Sequence, residues 1–468
     1  MIIDVEKLND CLKISYINKQ GKIDFKYYNG KLYNWQVTFD KDNKKNKIYK
    51  NWDGKPVKQK NTPYPNKFSV IEILESMSEE DKSDMFNFTN PQMSFLDIEV
   101  EVTDSFPDPK YANNKITAIS LVMPNREIHI FALKPINTQE LISIENDVNN
   151  YISKFNIKYS LNYHYYITEY DMLYTLLTEY IKKLPLISGW NFILFDWEYI
   201  INRSRRLGID PTICSISKQF QYNTNLPLHK ILIDYLEIYK KWDKSIAVKE
   251  NYTLDTTAES ILGIKKVKYP GTLQQLYESD YLKYIFYNVI DTILVELIHE
   301  HIKTMEIVVA LSDVCHISVY KASSPVTITE TLLIRKFLEY NIIVCMEEKT
   351  NTKSEKFEGA FVKNPIVGKH KAVACFDFAS LYPSIMRQFN ISPESLVEKV
   401  MSKYIETSRN DDNIVTVTGT VFDKKESIMK KILDYLYTQR KIEKMEMFKW
   451  KMKVQEIEYE IHELEKLL

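Results

Sequence analysis

Asp97 and Glu99 stand two apart in MSFLDIEVEV, and their type and spacing suggest chemistry. The alternation in that string predicts a β-strand. Strand side chains alternate faces, so both carboxylates point the same way. Like charges side by side repel unless a cation separates them, as a divalent metal with oxygen ligands and open water positions does. Both residues also follow apolar Phe95 and Leu96, where a core strand should continue and buried charge is costly. Taken alone, the pair reads first as a solvated strand edge. Asp196 closes GWNFILFD, behind the turn formers Gly189 and Asn191; it reads either as a functional carboxylate or as the N-cap of the helix that follows. Tyr287 and Asp291 lie four apart in YNVID, on one face of a helix, as a working pair or an exposed one.

Further along, an apolar string ends in Asp377 and continues SLYPSI. Its bare reading is a buried strand followed by a proline turn. Arg440 and Lys444, four apart in YTQRKIEKMEM, share a helix face. Cations so placed grip phosphates, or form ordinary salt bridges with nearby Glu443 and Glu446. Residues 41–60, KDNKKNKIYKNWDGKPVKQK, form a basic stretch that reads as a solvated loop or a nucleic-acid patch.

The elements that must position these residues follow from periodicity. CLKISYIN and KLYNWQVTFD alternate as half-buried strands. KITAISLVM and EIHIFAL extend the Asp97 strand into an antiparallel sheet. YDMLYTLLTEYIKKLP has helical spacing, LISGWNF reads as a strand entering a turn, and DWEYIINRSRRLG as a helix ended by Gly208. YLKYIFYNVIDTILVELIHEHIKTM is a long helical pattern, and residues 304–348 are mainly helical. KFEGAFVKNPIVGKH is a connector, KAVACFDF a buried strand, and IVTVTGTVFD a strand–turn–strand around Gly419. From about 424 onward one helical stretch without Gly or Pro would span roughly 65 Å and wants a partner helix.

With 468 residues, 44% hydrophobic and 27% charged, the composition is that of a globular chain of several domains. A formal net charge of −1 leaves nucleic-acid binding to local patches. The five cysteines, odd in number and without a C-x-x-C pair, argue against a disulfide framework or a structural zinc and fit a reducing compartment. No long apolar run and no cleavable signal are evident, so a soluble, intracellular protein without a membrane partner is expected.

Taken together, D-x-E on a first strand, N-x-x-x-F-D and Y-x-x-x-D, in this order and at these separations, resemble the three exonuclease motifs of family B DNA polymerases. VACFDFASLYPSIMRQFNISPESL resembles motif A of that family, in its T-even phage subgroup, and EGAFVKNP the subgroup's connector between exonuclease and palm. The resemblance implies a mixed α/β (α+β) multidomain fold: an N-terminal domain over 1–91 to which 304–348 returns, and a ribonuclease H-like 3′→5′ exonuclease over 92–303. A partial palm over 349–426 and the first fingers helix over 427–468 would follow. It implies that Asp97, Glu99, Asp196 and Asp291 hold two Mg²⁺ or Mn²⁺ ions, with Tyr287 positioning the attacking water. Two metals about 3.5–4 Å apart activate that water and stabilise the leaving oxygen. By the same resemblance Asp377 is a metal ligand of the polymerase site and Tyr382 a steric gate under the deoxyribose. Leu381, Arg440 and Lys444 would line the dNTP pocket.

The sequence has no K-x-x-x-N-S-x-Y-G fingers helix and no second palm aspartate pair of the D-T-D-S type. The expectation is therefore an N-terminal part of a polymerase, split or truncated. It would act on single-stranded 3′ ends and primer–template DNA in the cytoplasm of an infected bacterial cell. A C-terminal half on a separate chain would complete synthesis and carry any sliding-clamp contact. Two rivals stand beside this: a stand-alone 3′→5′ exonuclease, and a non-catalytic fragment that binds DNA or RNA. Between 208 and 230 no confident match to a long exonuclease hairpin is found.

Overall fold

The computed structural model describes residues 1–8, 11–38, 49–86, 92–102, 106–242, 251–345, 361–399 and 412–466. It divides into two compact units, Met1–Leu32 with Leu74–Thr331, and Tyr33–Ile73 with Leu332–Leu468.

The first unit is built on a six-stranded sheet. Its order is Ser160–Tyr165, Glu127–Ala132, Ile116–Val122, Ser94–Val100, Leu186–Gly189 and Ile231–Asp234. The Asp97 strand Ser94–Val100 runs antiparallel to Ile116–Val122, with Asp97 opposite Ser120 and Glu99 opposite Ala118. Ile116–Val122 is in turn antiparallel to Glu127–Ala132, whereas the outer strands join in parallel. ITAISLV is buried at every position because both faces of the sheet are covered, which is why it reads as an apolar run and not an alternation. On one face lies the long helix Tyr281–Ile302, buried through most of its length. Its apolar residues go almost all the way round, as a helix inside a core requires.

Around the helical run Glu169–Lys183 and the helix Glu198–Arg206, the core gathers Leu96, Ile98, Leu173, Leu177, Trp197 and Ile200. These segments are tied by a buried bidentate pair: Arg203 Nε donates to Glu169 Oε1 at 2.8 Å and Nη2 to Oε2 at 2.6 Å. A three-stranded antiparallel sheet, Ile2–Lys7, Leu12–Ile17 and Ile23–Tyr28, belongs to the same unit. This mixed α/β architecture, opened by three antiparallel strands, is the one expected from the sequence.

In the second unit Tyr33–Val37 pairs with Val57–Asn61 over a small core of Trp35, Val57, Ile343 and Cys345. Leu396–Lys399, Thr420–Asp423 and Asn413–Val415 form a three-stranded sheet, so the strand–turn–strand around Gly419 is present. The expected terminal helix runs Ile428–Glu465.

Two expectations are corrected here. Within 49–60 the chain is not a plain loop: Lys50–Asn51 and Val57–Asn61 are strands. Val57 is buried and the four residues after it are exposed, so the lysines of that strand, Lys58 and Lys60, stay in water at no cost. The rest of the basic stretch lies outside the described residues. KAVACFDF is neither a strand nor buried. Phe376 is 93% exposed and Val373 75%. No strand pairs with it among the described residues, and an apolar string without a neighbour to bond its N–H and C=O groups has no ladder to join.

Candidate active site

The strand Ser94–Val100 delivers Asp97 and Glu99 to one face, as the two-residue period demands. The long helix Tyr281–Ile302 crosses the same face and brings Asp291 to them. One carboxylate oxygen from each of Asp97, Glu99 and Asp291 lies within 4.8 Å of the others. Asp97 keeps partial access to solvent, while Glu99, Asp196 and Asp291 are buried.

Asp196 is not an N-cap, the alternative reading of its place before a helix. It sits inside a wide π-type turn, Ile193–Trp197, that feeds the helix Glu198–Arg206. In that turn the Trp197 N–H reaches the Phe192 carbonyl at 2.8 Å. An extra residue in a helical turn re-aims side chains, and here Asp196 Oδ1 accepts the backbone N–H of Ile98 at 3.2 Å. Asp196 thus grips the strand between Asp97 and Glu99. Asp234, at the end of its strand, holds the turn by accepting the N–H groups of Asn191 at 3.1 Å and Ile193 at 3.3 Å. Asn191 has φ +59°, a left-handed position that asparagine tolerates. Gly189 is not a turn residue: it closes the strand Leu186–Gly189, where a Cβ would meet the Leu96 carbonyl oxygen at 2.5 Å.

Two groups complete the cluster. Asn288 Nδ2 donates to Asp97 Oδ2 at 2.8 Å. Lys266 Nζ forms a salt bridge with Asp291 and donates to the Tyr287 hydroxyl at 3.3 Å. Sequence reasoning missed both, and Asp234. Asn288 carried a signal, being three residues from Asp291 and hence on its helix face. Lys266, in IKKVKYPG, carried none.

Burial, then the charge of Asp291, pushes the Asp97 carboxyl up to about 7, against the pull of Lys266 and Asn288. Glu99 is raised well above its ordinary value by burial, then by Asp97 and Asp291. Asp196 is raised by burial and by Asp97, against the Ile98 N–H. Asp291 is raised by burial, which outweighs Lys266. Tyr287 is raised by burial and by Asp291 and Glu99, so its phenol stays protonated. For Lys266 burial works against the charge, but Asp291 prevails and the ammonium is held.

Three carboxylates, Asp97, Glu99 and Asp291, thus crowd one ammonium. Asp291 Oδ1 and Asn288 Oδ1 are buried and have no hydrogen-bond donor. An all-oxygen donor set with excess negative charge and an orphaned carboxylate oxygen fits hard divalent cations. Asp97, Glu99 and Asp291 would hold them, with Asp196 alongside.

The remaining candidates lie in the second unit. Asp377 is exposed, and no other carboxylate joins it in a cluster among the described residues. Leu381 and Tyr382 open the helix Leu381–Gln388, Tyr382 being 77% exposed. Arg440 Nη1 donates to Ser380 Oγ at 3.0 Å, which joins the terminal helix to the residue before Leu381. Lys444 is exposed on that helix. No helix among the described residues is long and apolar enough to cross a membrane.

A carboxylate cluster on a central strand of a mixed sheet, crossed by a buried helix, makes this an α/β domain with a candidate divalent-cation site. Residues 25–256 match the model of the DNA polymerase family B exonuclease domain, and residues 316–464 that of DNA polymerase family B. The chain belongs to the family B DNA polymerases. It is 29% identical over 341 residues to the DNA-directed DNA polymerase of Escherichia phage RB69, covering 67% of this chain and 37% of that protein. With the DNA-directed DNA polymerase of Enterobacteria phage T4 it shares 26% over 397 residues, 77% of this chain and 43% of that one. With DNA polymerase 1 of Sulfolobus acidocaldarius it shares 28% over 329 residues, 64% and 35%. The chain therefore spans less than half the length of these relatives.

Proposed function

We propose that this chain removes nucleotides from DNA 3′ ends as the proofreading exonuclease of a family B polymerase and supplies part of that polymerase's own site. The observation that carries the reading is the meeting of Asp97, Glu99 and Asp291 within 4.8 Å, on a strand gripped by Asp196. Two Mg²⁺ or Mn²⁺ ions held there would activate water and stabilise the leaving 3′ oxygen. The protein's share is positional. Lys266 and Asp291 fix Tyr287, whose protonated hydroxyl orients the attacking water. Glu99 accepts its proton, and partly open Asp97 faces the incoming strand.

Asp377, Leu381, Tyr382, Arg440 and Lys444 serve dNTP binding and synthesis. That activity needs the second fingers helix, the second palm aspartates and the thumb of a C-terminal portion, on the same polypeptide or a separate chain, which also carries any clamp contact. The setting is the cytoplasm of an infected bacterium.

The test is a 3′-recessed primer–template labelled at its 5′ end, incubated with the chain and Mg²⁺, with and without dNTPs. A ladder of shortened primers, lost in Asp97→Ala and Asp291→Ala and with no extension when dNTPs are present, is expected. Extension by this chain alone would overturn the partial polymerase site. Absence of shortening would overturn the exonuclease.

A further inference from the structure

We propose that Asn288 is a positioning residue of the exonuclease site: its side-chain amide fixes the Asp97 carboxylate so that one oxygen stays free for a divalent cation. The inference rests on the exonuclease reading above.

Asn288 is fully buried, and its Nδ2 donates to Asp97 Oδ2 at 2.8 Å. A carboxylate only accepts, so this contact also decides which end of the amide faces Asp97. The residue cannot drift. Ser120, opposite Asp97 on the neighbouring strand, donates its hydroxyl to the Asn288 carbonyl at 3.1 Å, and Thr292 Oγ1 donates to the same carbonyl at 3.1 Å. The helix is thereby pinned to the strand pair at the level of Asp97.

Three carboxylates of the cluster each have their own donor. Asp196 takes the Ile98 N–H, Asp291 takes Lys266, and Asp97 takes Asn288. Lys266 brings a compensating charge. Asn288 is neutral, so it fixes the plane of Asp97 and occupies one oxygen while leaving the full negative charge to a cation. A hydrogen-bonded partner behind a metal-binding carboxylate orients it and tunes affinity, and its loss typically weakens metal binding by about 10–100-fold.

Asn288→Leu keeps the approximate size and removes the donor. Two measurements on the full chain test it: Mn²⁺ titration by calorimetry without DNA, and Mn²⁺ dependence of hydrolysis of a 5′-labelled single-stranded oligonucleotide. The expected result is Mn²⁺ affinity lowered by at least about tenfold, the same shift in the Mn²⁺ concentration for half-maximal hydrolysis, and recovery of most of the rate at saturating Mn²⁺. Asn288→Ala replaces it if the leucine variant fails to show a cooperative melt. A folded variant with wild-type Mn²⁺ affinity overturns the proposal, as does a rate loss that added Mn²⁺ does not repair. Both outcomes leave the exonuclease reading standing. That reading fails separately if the wild-type chain neither hydrolyses the oligonucleotide nor binds Mn²⁺ in a manner lost in Asp97→Ala.

Discussion

Lys266 sets an ammonium against Asp291 and the Tyr287 hydroxyl, inside a cluster whose other charges are all negative. Removing one partner of a buried pair leaves the other uncompensated, which costs about 3–5 kcal/mol. Lys266→Met is therefore expected to lower the unfolding free energy by roughly 3 kcal/mol in EDTA, and by less in saturating Mn²⁺, where the cation takes over part of the compensation. Urea unfolding in the two buffers checks this; equal loss in both would mean that Lys266 and the cations serve different carboxylates.

Lys230 makes a second residue-scale prediction. It is fully buried and donates to the carbonyls of Lys182 at 3.2 Å and of Leu184. Burial depresses it to about 7. The unfolded chain keeps that proton up to about pH 10.4, so between about 7 and 10 unfolding takes up a proton and stability rises with pH. Lys230→Met is expected to flatten that rise, as read from melting temperatures across this window.

What the sequence shows of these residues depends on distance along the chain. Asp97 with Glu99, and Tyr287 with Asp291, are legible because strand and helix periods put them on one face. Lys266 is not, because its contact with the helix depends on a loop crossing that no local period encodes.

At the scale of elements, the site depends on how closely the strand Leu186–Gly189 approaches the Asp97 strand. The two pair at Ile187 with Ser94 and Ser188 with Phe95, and Gly189 comes next, against the Leu96 carbonyl. A Cβ at 2.5 Å from backbone oxygen has no flexible atom to push aside. Gly189→Ala should force the strands apart next to Asp97, costing about 1–3 kcal/mol and lowering exonuclease rate along with stability. Thermal melts and oligonucleotide hydrolysis on the same sample test the link; a stable variant with reduced activity, or the reverse, would uncouple strand spacing from the site. The glycine itself is visible in LISGWNF, but its use is not, since a turn and a close approach ask for the same residue. The local setting of Asp196 was hard to read for a related reason. An aspartate ahead of a helical pattern reads as a cap, and only the wide turn Ile193–Trp197 shows that it already lies inside the helix. In KAVACFDF the error ran the other way: apolar character signalled a core strand, but a strand also requires a neighbour.

For the whole molecule, a net charge of −1 gives no sign of the local excess of negative charge where Asp97, Glu99 and Asp291 meet. The exonuclease residues all fall in the unit Met1–Leu32 with Leu74–Thr331, and Asp377, Leu381, Tyr382, Arg440 and Lys444 all fall in the other. A cation that binds only the folded form stabilises it by RT ln(1 + [L]/Kd), about 2.7 kcal/mol at a hundredfold excess over Kd. Mn²⁺ should therefore raise the melting temperature of the first unit selectively, visible in calorimetry as movement of one transition against another or as a shoulder drawn out of a single peak. Asp97→Ala should abolish the shift, since it removes a ligand. Asp377→Ala should leave it intact, because that carboxylate is exposed and belongs to no group of three or more possible metal ligands among the described residues. Were Asp377→Ala to cancel the shift while Asp97→Ala preserved it, the cation would belong to the polymerase-motif unit, and the carboxylates on the central strand would need another partner.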